Sequence, residues 1–160
     1  MLNIRAAVET DLAHLNAIDA IVWTPQNTPV DLPKSAQEPY FKLPLDNIWI
    51  AELNDVVCGY VRLGQRTLLA SNQHVGWLRS LAVHPEMRRQ GIASALLDKV
   101  DQLAVEKGFR KISLTVLGSN VGAISLYKSK GYRIEGILKD EFSVDHHYLD
   151  DVWMAKFFDE

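Results

Sequence analysis

Two adjacent arginines, Arg88 and Arg89, stand just before a helix-patterned run in the stretch HPEMRRQGIASALLDKV, His84 to Val100. A helix N-terminus carries a partial positive charge and unpaired N–H groups, so cations are disfavoured there. The arrangement becomes favourable when an anion binds, because arginine, N–H groups and helix dipole then act on the same charge. Gly91 adds no side chain that would keep a ligand off the backbone. The stretch predicts a diphosphate site, although two arginines after a proline also fit a solvated loop.

The helix that positions this loop is well defined in the sequence. Lys107 occupies its last turn, and Gly108 can adopt the left-handed conformation that ends a helix. A stripe of apolar residues at helical spacing predicts the buried face, which comprises Ile92, Leu96, Val100 and Leu103. Burial of that stripe against a sheet would leave the start of the helix accessible.

The residues before this helix predict one helix and four strands. A first strand from Leu2 to Val8 leads into a helix that ends at Val22, with Thr10 as its N-cap. Three antiparallel strands follow, with the sequences NIWIAEL, VVCGYVRLG and VGWLRSLAV, and the pair Asn54-Asp55 forms a tight turn between the first two. The segment 23–45 holds five of the six prolines, which is typical of a lid or of a connection ordered by aromatic anchors such as Tyr40 and Phe41.

The residues after the helix predict three strands and a short helix. The strand RKISLTVL places Ile112, Leu114 and Val116 on one face, a helix from about Asn120 to Lys130 follows, and YRIEGIL and HHYLDDVWMAKFF end the chain. The order β-α-loop-β-β-β-α-β-α-β-β predicts a mixed α/β (α+β) fold. An exposed final strand would allow pairing between two copies, so a homodimer is among the expected partners.

Composition narrows the class of protein. A chain of 160 residues with 48% hydrophobic residues predicts a single domain over 1–160. The single cysteine, Cys58, excludes an intrachain disulfide and a cysteine zinc cluster, so we expect a cytoplasmic protein without a metal. We expect no membrane partner, because the sequence has neither a signal-peptide pattern nor an apolar run of about 18 residues.

Charge is concentrated near the C-terminus. Residues 140–160 include one basic residue, Lys156, and seven acidic residues, namely Asp140, Glu141, Asp145, Asp150, Asp151, Asp159 and Glu160. This pattern is typical of a solvated acidic segment or of an acidic wall beside a cationic substrate. A net charge of -3 without a clustered basic face argues against nucleic acid as a partner.

Two motifs together resemble the GNAT superfamily of N-acetyltransferases. Arg88-x-x-Gly91-x-Ala93 is similar to the arginine-x-x-glycine-x-glycine/alanine loop with which that family binds the pyrophosphate of acetyl-CoA. The stretch SNVGAISLYKSKGY is similar to the family's second signature, an asparagine followed seven residues later by a tyrosine and then by glycine and an aromatic. The strand and helix order is similar as well, so the resemblance covers nearly the whole chain and implies the GNAT acyl-CoA N-acyltransferase fold.

The resemblance implies a set of residues that bind acetyl-CoA as co-substrate. The diphosphate would lie on Arg88, Arg89, Gln90, Gly91, Ile92, Ala93 and Ser94. The amide-rich arm of the cofactor would pair, like an added strand, with the backbone of Leu81, Ala82 and Val83, and Asn120 would contact the same arm. From the residues alone, Asn120 fits a helix N-cap equally well.

The resemblance also implies acetyl transfer to an amine, and the lone Cys58 argues for direct attack by the amine and against a covalent relay. Tyr127 would donate to the departing sulfur as the catalytic residue, whereas its spacing also fits a core aromatic beside Ile124. Whether its proton is fully transferred stays open, because a phenol is a weaker acid than a thiol. Cys58 lies within a strand and fits a small core residue better than a nucleophile.

The proton acceptor for the amine is not identified by the sequence. The family often has a glutamate in the strand before the glycine loop, whereas VGWLRSLAV offers Arg79 and Ser80. The remaining candidates are Glu52, His74, Glu141, Asp145, His146 and His147, each of which also fits a surface residue. His84 fits a role in shaping the turn before Pro85.

The expected function is acetyl transfer to a primary amine of a small molecule or amino acid. The acidic stretch VDHHYLDD favours a cationic acceptor. The alternatives are acetylation of a protein N-terminus or lysine, and a regulatory module that binds acyl-CoA without catalysis.

Overall fold

The computed structural model describes residues 1–30 and 39–158 and has the predicted order of elements. The strands are β1 Leu2–Ala6, β2 Ile48–Leu53, β3 Val56–Gly64, β4 Val75–Val83, β5 Lys111–Leu117, β6 Arg133–Val144 and β7 His147–Phe157, and the helices are α1 Leu12–Val22, α2 Ile92–Glu106 and α3 Val121–Ser129. The strand order in the sheet is β1-β2-β3-β4-β5-β7-β6. The described chain forms two compact units, one with residues 1–23, 39–64 and 78–102, the other with 24–30, 65–77 and 103–158.

The first unit contains an antiparallel part of the sheet, which includes the predicted hairpin of β2 and β3. β1 pairs antiparallel with β2, and β2 pairs antiparallel with β3. Asn54 and Asp55 both have positive φ angles, 50° and 66°, as a tight two-residue hairpin turn requires. A Cβ built on Gly59 of β3 would lie 2.7 Å from the carbonyl oxygen of Ala82, so glycine permits the close approach of β3 and β4.

Helix α1 supplies the core of this unit. Its buried residues pack with side chains of β2, β3 and β4 in one cluster, formed by Leu15, Ile18, Val22, Phe41, Ile48, Ile50, Tyr60 and Ala82. The predicted N-cap is wrong: Thr10 lies in a 3-10 turn, Glu9–Asp11, and Asp11 occupies the cap position. The sequence placed the helix start too early because a short 3-10 turn precedes α1.

Helix α2 follows the predicted stripe. The exposed fractions of Ile92, Leu96, Val100 and Leu103 are all 3% or less. Gly108 has a φ of 69°, and the helix ends with a hydrogen bond of 2.9 Å from Lys107 N–H to the Leu103 carbonyl. On the polar side, the Lys99 ammonium lies 4.3 Å from the centre of the Trp49 ring.

The second unit contains a mixed part of the sheet. The first residues of β4 pair parallel with β5, and β5 pairs antiparallel with β7. The predicted exposed final strand is wrong, because β7 pairs on both sides, with β5 and with β6. A C-terminal strand inserted beside β5 satisfies its own hydrogen-bonding groups, and β6 forms the edge instead.

The proline-rich segment is partly described. Phe41 is buried, and its backbone N–H and carbonyl both bond the side chain of Asn16, at 2.9 and 3.2 Å. Its ring meets Tyr60 edge to face with centroids 5.0 Å apart. Phe41 is therefore an anchor as expected, whereas Tyr40 is exposed. Pro33 lies outside the described residues, as do the acidic residues Asp159 and Glu160.

Two negative findings apply to the described residues. None of their helices is long and apolar enough to cross a membrane. No group of three histidine, cysteine or acidic side chains among them is arranged to hold a metal ion.

A three-residue ion cluster connects β1 to the start of α1. Arg5 bonds the Asp11 carboxylate twice, at 2.8 and 3.0 Å, and also bonds Glu52 at 2.5 Å. The backbone N–H of Val8 donates to Asp11 at 2.7 Å. The hydrogen bonds from Arg5 lower the pKa of Asp11, although burial opposes that shift.

Replacement of Asp11 by Asn should lower the free energy of unfolding by about 2 kcal/mol at pH 7, because charge-assisted bonds to a buried carboxylate are lost. Because the pKa of Asp11 is lowered in the folded state, its carboxylate stabilises the fold at pH values above its unfolded-state pKa of about 3.9. This contribution disappears as the pH falls through the folded-state pKa. The difference from wild type should therefore shrink below about pH 4. Urea unfolding at pH 7 and pH 3 measures this difference in the free energy of unfolding, and Asp46→Asn, at an exposed position, is the control. An equal difference at both pH values would contradict this assignment.

Candidate active site

The turn after β4 is fixed by short-range hydrogen bonds. The Nδ1 atom of His84 accepts from the backbone N–H of Glu86 at 3.2 Å, and His84 N–H donates to the Cys58 carbonyl at 2.8 Å. A 3-10 turn, Pro85–Met87, then leads to the arginines. The predicted turn-forming role of His84 is confirmed.

The backbone of the arginine loop is left-handed at two positions. Arg89 has a φ of 62° and Gly91 a φ of 78°. A non-glycine residue with positive φ is uncommon, and such conformations concentrate at ligand-binding sites. A Cβ built on Gly91 meets no atom within 4 Å, so the space beside the loop is open. Arg88, Arg89 and Gln90 are exposed around it.

The start of α2 presents donors toward this loop. The first hydrogen bond of the helix runs from Ala95 N–H to the Gly91 carbonyl at 3.0 Å. The N–H groups of Ile92, Ala93 and Ser94 precede it and therefore belong to the helix end, where an anion is favoured. The Ile92 side chain is 2% exposed and holds the helix start in the core. These residues fit a bound diphosphate.

The end of β4 lies against β3 in the same unit. Ala82 and Val83 are buried, and Leu81 is half-buried. Gly59 of β3 lies directly beside the Ala82 carbonyl, as described above. The backbone of Leu81, Ala82 and Val83 is therefore held in a fixed, extended conformation just before the arginine loop.

In the second unit, Asn120 is the N-cap of α3. Its Oδ1 accepts from the backbone N–H of Ala123 at 3.3 Å, and its carbonyl accepts from Ile124 at 3.1 Å. The N-cap interpretation is confirmed, and the side-chain amide still has donors for another partner.

Tyr127 is a buried aromatic of the second unit. It is 8% exposed, and its ring meets Tyr132 in a T-shaped contact with centroids 5.7 Å apart. Burial raises the pKa of Tyr127, so the phenol stays protonated at neutral pH. The core-aromatic interpretation is confirmed, and the residue can still act as a hydrogen-bond donor.

The residues considered as proton acceptors lie in different surroundings. The prediction of a surface residue is wrong for Glu52, because this side chain is half-buried and bound to Arg5. The hydrogen bond from Arg5 lowers the pKa of Glu52. The others are exposed side chains, namely His74, Glu141, Asp145, His146 and His147. Cys58 is fully buried, its thiol donates to the Ala51 carbonyl at 3.3 Å, and burial raises its pKa, so the core-residue interpretation is confirmed.

A second polar cluster that the sequence does not predict lies in the first unit, besides that of Arg5, Asp11 and Glu52. Asp19 of α1 is 5% exposed and accepts hydrogen bonds from Trp23 and Tyr60. A signal was present in the sequence, because Asp19 follows Leu15 by four residues and thus falls on the buried stripe of α1. An acid on an apolar stripe requires a buried partner.

Comparison with known proteins gives a consistent result. The model of the acetyltransferase (GNAT) family matches residues 15–132. The chain is 32% identical over 90 residues to acetyltransferase SG1711 of Sodalis glossinidius, covering 56% of this chain and 59% of that protein. It is 42% identical over 57 residues to thialysine N-epsilon-acetyltransferase of Sus scrofa, covering 36% of this chain and 34% of that protein. The aligned part thus spans less than two thirds of either relative.

The fold matches a solved structure over nearly its whole length. The crystal structure of smu.2055 from Streptococcus mutans superimposes with a TM-score of 0.88 at 26% identity, covering 97% of this chain and 98% of that one. The predicted mixed α/β fold is confirmed.

The Asn120 cap gives a prediction that is independent of any ligand. Asn120→Ala should lower the free energy of unfolding by about 1 kcal/mol, because the Ala123 N–H loses its side-chain acceptor. Asn120→Ser keeps a capping oxygen and should retain most of the stability. Urea unfolding measures all three proteins, and an alanine variant as stable as the wild type would show that the cap contributes nothing.

Proposed function

The chain belongs to the acetyltransferase (GNAT) family, and we propose that it is an acetyl-CoA-dependent N-acetyltransferase acting on a primary amine of a small molecule or amino acid. The observation that carries this proposal is the open, left-handed loop at Gly91, where the helix N-terminus and two exposed arginines meet. Acetyl-CoA supplies an acetyl group activated as a thioester.

We assign the diphosphate to the stretch from Arg88 to Ser94. Arg88 and Arg89 are exposed, and the N–H groups of Ile92 to Ser94 belong to the start of α2. The arginine side chains and the N–H groups both stabilise the two negative charges of a diphosphate, and neither requires a metal ion to do so. We assign the amide-rich arm to the backbone of Leu81, Ala82 and Val83 and to the side-chain amide of Asn120.

We assign to Tyr127 the donation of a hydrogen bond to the departing sulfur. Tyrosine is protonated at neutral pH, and burial raises the pKa of Tyr127 further, so the phenol serves as a hydrogen-bond donor and not as a readily ionised acid. Direct transfer to the amine is supported by Cys58, whose buried thiol has a raised pKa and is a poor nucleophile.

A small amine or amino acid is the acceptor that we favour. The Sus scrofa relative, thialysine N-epsilon-acetyltransferase, is named for acetylation of a side-chain amine of an amino acid. The hairpin of β6 and β7 is acidic, but two of its carboxylates are already bound within the protein, so its composition overstates the support for a cationic acceptor. Lys139 pairs with Asp150 at 3.0 Å, and Asp151 is buried with a hydrogen bond from Trp153.

The cofactor site is tested by a matched pair of glycine variants. Gly91 and Gly108 stand at opposite ends of α2, both with positive φ and both with open space at the Cβ position. Gly91→Glu and Gly108→Glu therefore introduce similar strain and the same charge. Gly91→Glu should weaken acetyl-CoA binding at least tenfold in calorimetry, because a carboxylate repels the diphosphate, whereas Gly108→Glu should bind like wild type. Equal affinities, or no binding by the wild type, would contradict the assignment.

The acceptor is tested by following release of the CoA thiol. Purified protein with acetyl-CoA is offered thialysine, L-lysine, spermidine and a peptide with an N-terminal alanine. We expect turnover of at least one free amine and little of the peptide. Faster turnover of the peptide would favour a protein N-terminus as acceptor, and binding of acetyl-CoA without any turnover would favour the regulatory alternative.

A further inference from the structure

One face of the sheet in the second unit carries two tryptophans and a carboxylate. Strand register places Trp77 of β4 and both Trp153 and Asp151 of β7 on the same face. Thr115, which pairs with Trp153 in the middle of this face, is exposed. The residues of β5 on the opposite face are all buried, namely Ile112, Leu114 and Val116. The face that carries Thr115 is therefore the one that a ligand can reach.

The two tryptophans hold a guanidinium on this face. Their ring centroids are 5.6 Å apart, and the Arg66 guanidinium carbon lies 5.9 Å from the centre of the Trp77 ring and 5.5 Å from that of the Trp153 ring. The electron-rich ring faces attract the positive charge. Arg66 is exposed, and no carboxylate of the described residues forms an ion pair with it. Its N–H groups are therefore available to an anionic ligand.

Asp151 is a buried carboxylate with one oxygen left to bind. It is 8% exposed, and Trp153 Nε1 donates to its Oδ2 at 3.0 Å. Within the described part of the chain, no side chain donates to its Oδ1. Burial raises the pKa of Asp151, the bond from Trp153 offsets only part of that effect, and the charge of Glu141 raises the pKa further. A cation at Oδ1 would stabilise the charged carboxylate.

Trp153 holds the two opposite charges near each other. Its indole N–H bonds the Asp151 carboxylate, and its ring contacts the Arg66 guanidinium. Arg66 and Asp151, both within the described residues, form no ion pair with one another. A guanidinium and a carboxylate that are adjacent but unpaired complement a ligand that carries a carboxylate and an ammonium on one carbon atom. A free amino acid has this arrangement of charges.

The position of Asp151 connects this face to a residue assigned to acetyl-CoA. Asp151 pairs in register with Leu117, the last residue of β5. The backbone N–H of Asn120 donates to the Leu117 carbonyl at 2.9 Å. Because β5 and β7 are antiparallel, the direction from Trp153 to Asp151 leads toward Asn120. A ligand that extends from Arg66 past Asp151 therefore extends toward the assigned cofactor arm.

We propose that the acceptor is a free amino acid with an amine in its side chain, and that Arg66 binds its α-carboxylate while Asp151 binds its α-ammonium. The proposal rests on the proposed function and narrows its acceptor. An ammonium held by a carboxylate stays protonated and cannot attack a thioester, so the side-chain amine receives the acetyl group. Arg66 and Asp151 determine which substrate binds and take no part in the transfer itself.

The kinetic test compares L-lysine with cadaverine, which has the same two amines but no carboxylate. Arg66→Gln should raise the KM for L-lysine about tenfold or more and should not raise the KM for cadaverine, because a charge-assisted contact to the carboxylate is lost. Asp151→Asn keeps an acceptor for Trp153 and should raise both KM values. Arg133→Gln is the matched control, since Arg133 is also exposed and lies 5.9 Å from the centre of the Phe157 ring. Equal losses for both amines in Arg66→Gln, or acetylation of the α-amine of L-lysine, would overturn the proposal.

A binding test decides the amino-acid site without any acetyl transfer. L-norleucine has the α-carboxylate and the α-ammonium but no side-chain amine, so it should bind without reacting. It should shift the indole N–H NMR signal of Trp153, identified with Trp153→Phe, and Arg66→Gln and Asp151→Asn should each raise its Kd about tenfold or more. If wild type acetylates no amine, the proposed function fails while this titration still decides the site. No shift in wild type, or an unchanged Kd in both variants, would overturn it.

Discussion

The site depends on the left-handed backbone between β4 and α2. The chain must leave a strand whose last residues, Ala82 and Val83, are buried and enter a helix whose first residue, Ile92, is 2% exposed. Arg89 and Gly91 make that turn with positive φ angles. The same turn exposes the arginine side chains next to the start of α2, so the features that we assign to diphosphate binding follow from how two buried elements are joined.

Two buried carboxylates of the first unit show how partners decide chemistry. Asp11 is bound by the Arg5 guanidinium, its pKa is lowered, and it stays charged as part of the framework. Among the described residues, the donors to Asp19 are the neutral side chains of Trp23 and Tyr60, and burial raises the pKa of Asp19. A carboxylate paired with a cation resists protonation, whereas one held by neutral donors can accept a proton. Asp11 therefore stays charged at neutral pH, whereas Asp19 is the carboxylate that accepts a proton more readily.

Much of the fold could be predicted because its signals are local. The stripe of α2, the turn at Asn54-Asp55 and the glycine that ends α2 each depend on residues within about one helical turn. The start of α1 was misplaced at Thr10, because a 3-10 turn and an α-helix share the same short-range capping signals. The loop at Gly91 and the cap at Asn120 also depend on neighbouring residues, which is why the sequence predicts the local structure of both segments.

The sequence by itself determined the order of elements, the buried stripes and the two family motifs, because each is written in neighbouring residues. Tertiary structure alone decided that Glu52 pairs with Arg5, that β7 lies inside the sheet with β6 at its edge, and that the Tyr60 hydroxyl donates a hydrogen bond to Asp19. Those partners are separated by tens of residues, and no periodicity relates them. Their contacts arise only when strand register and helix packing bring distant segments together.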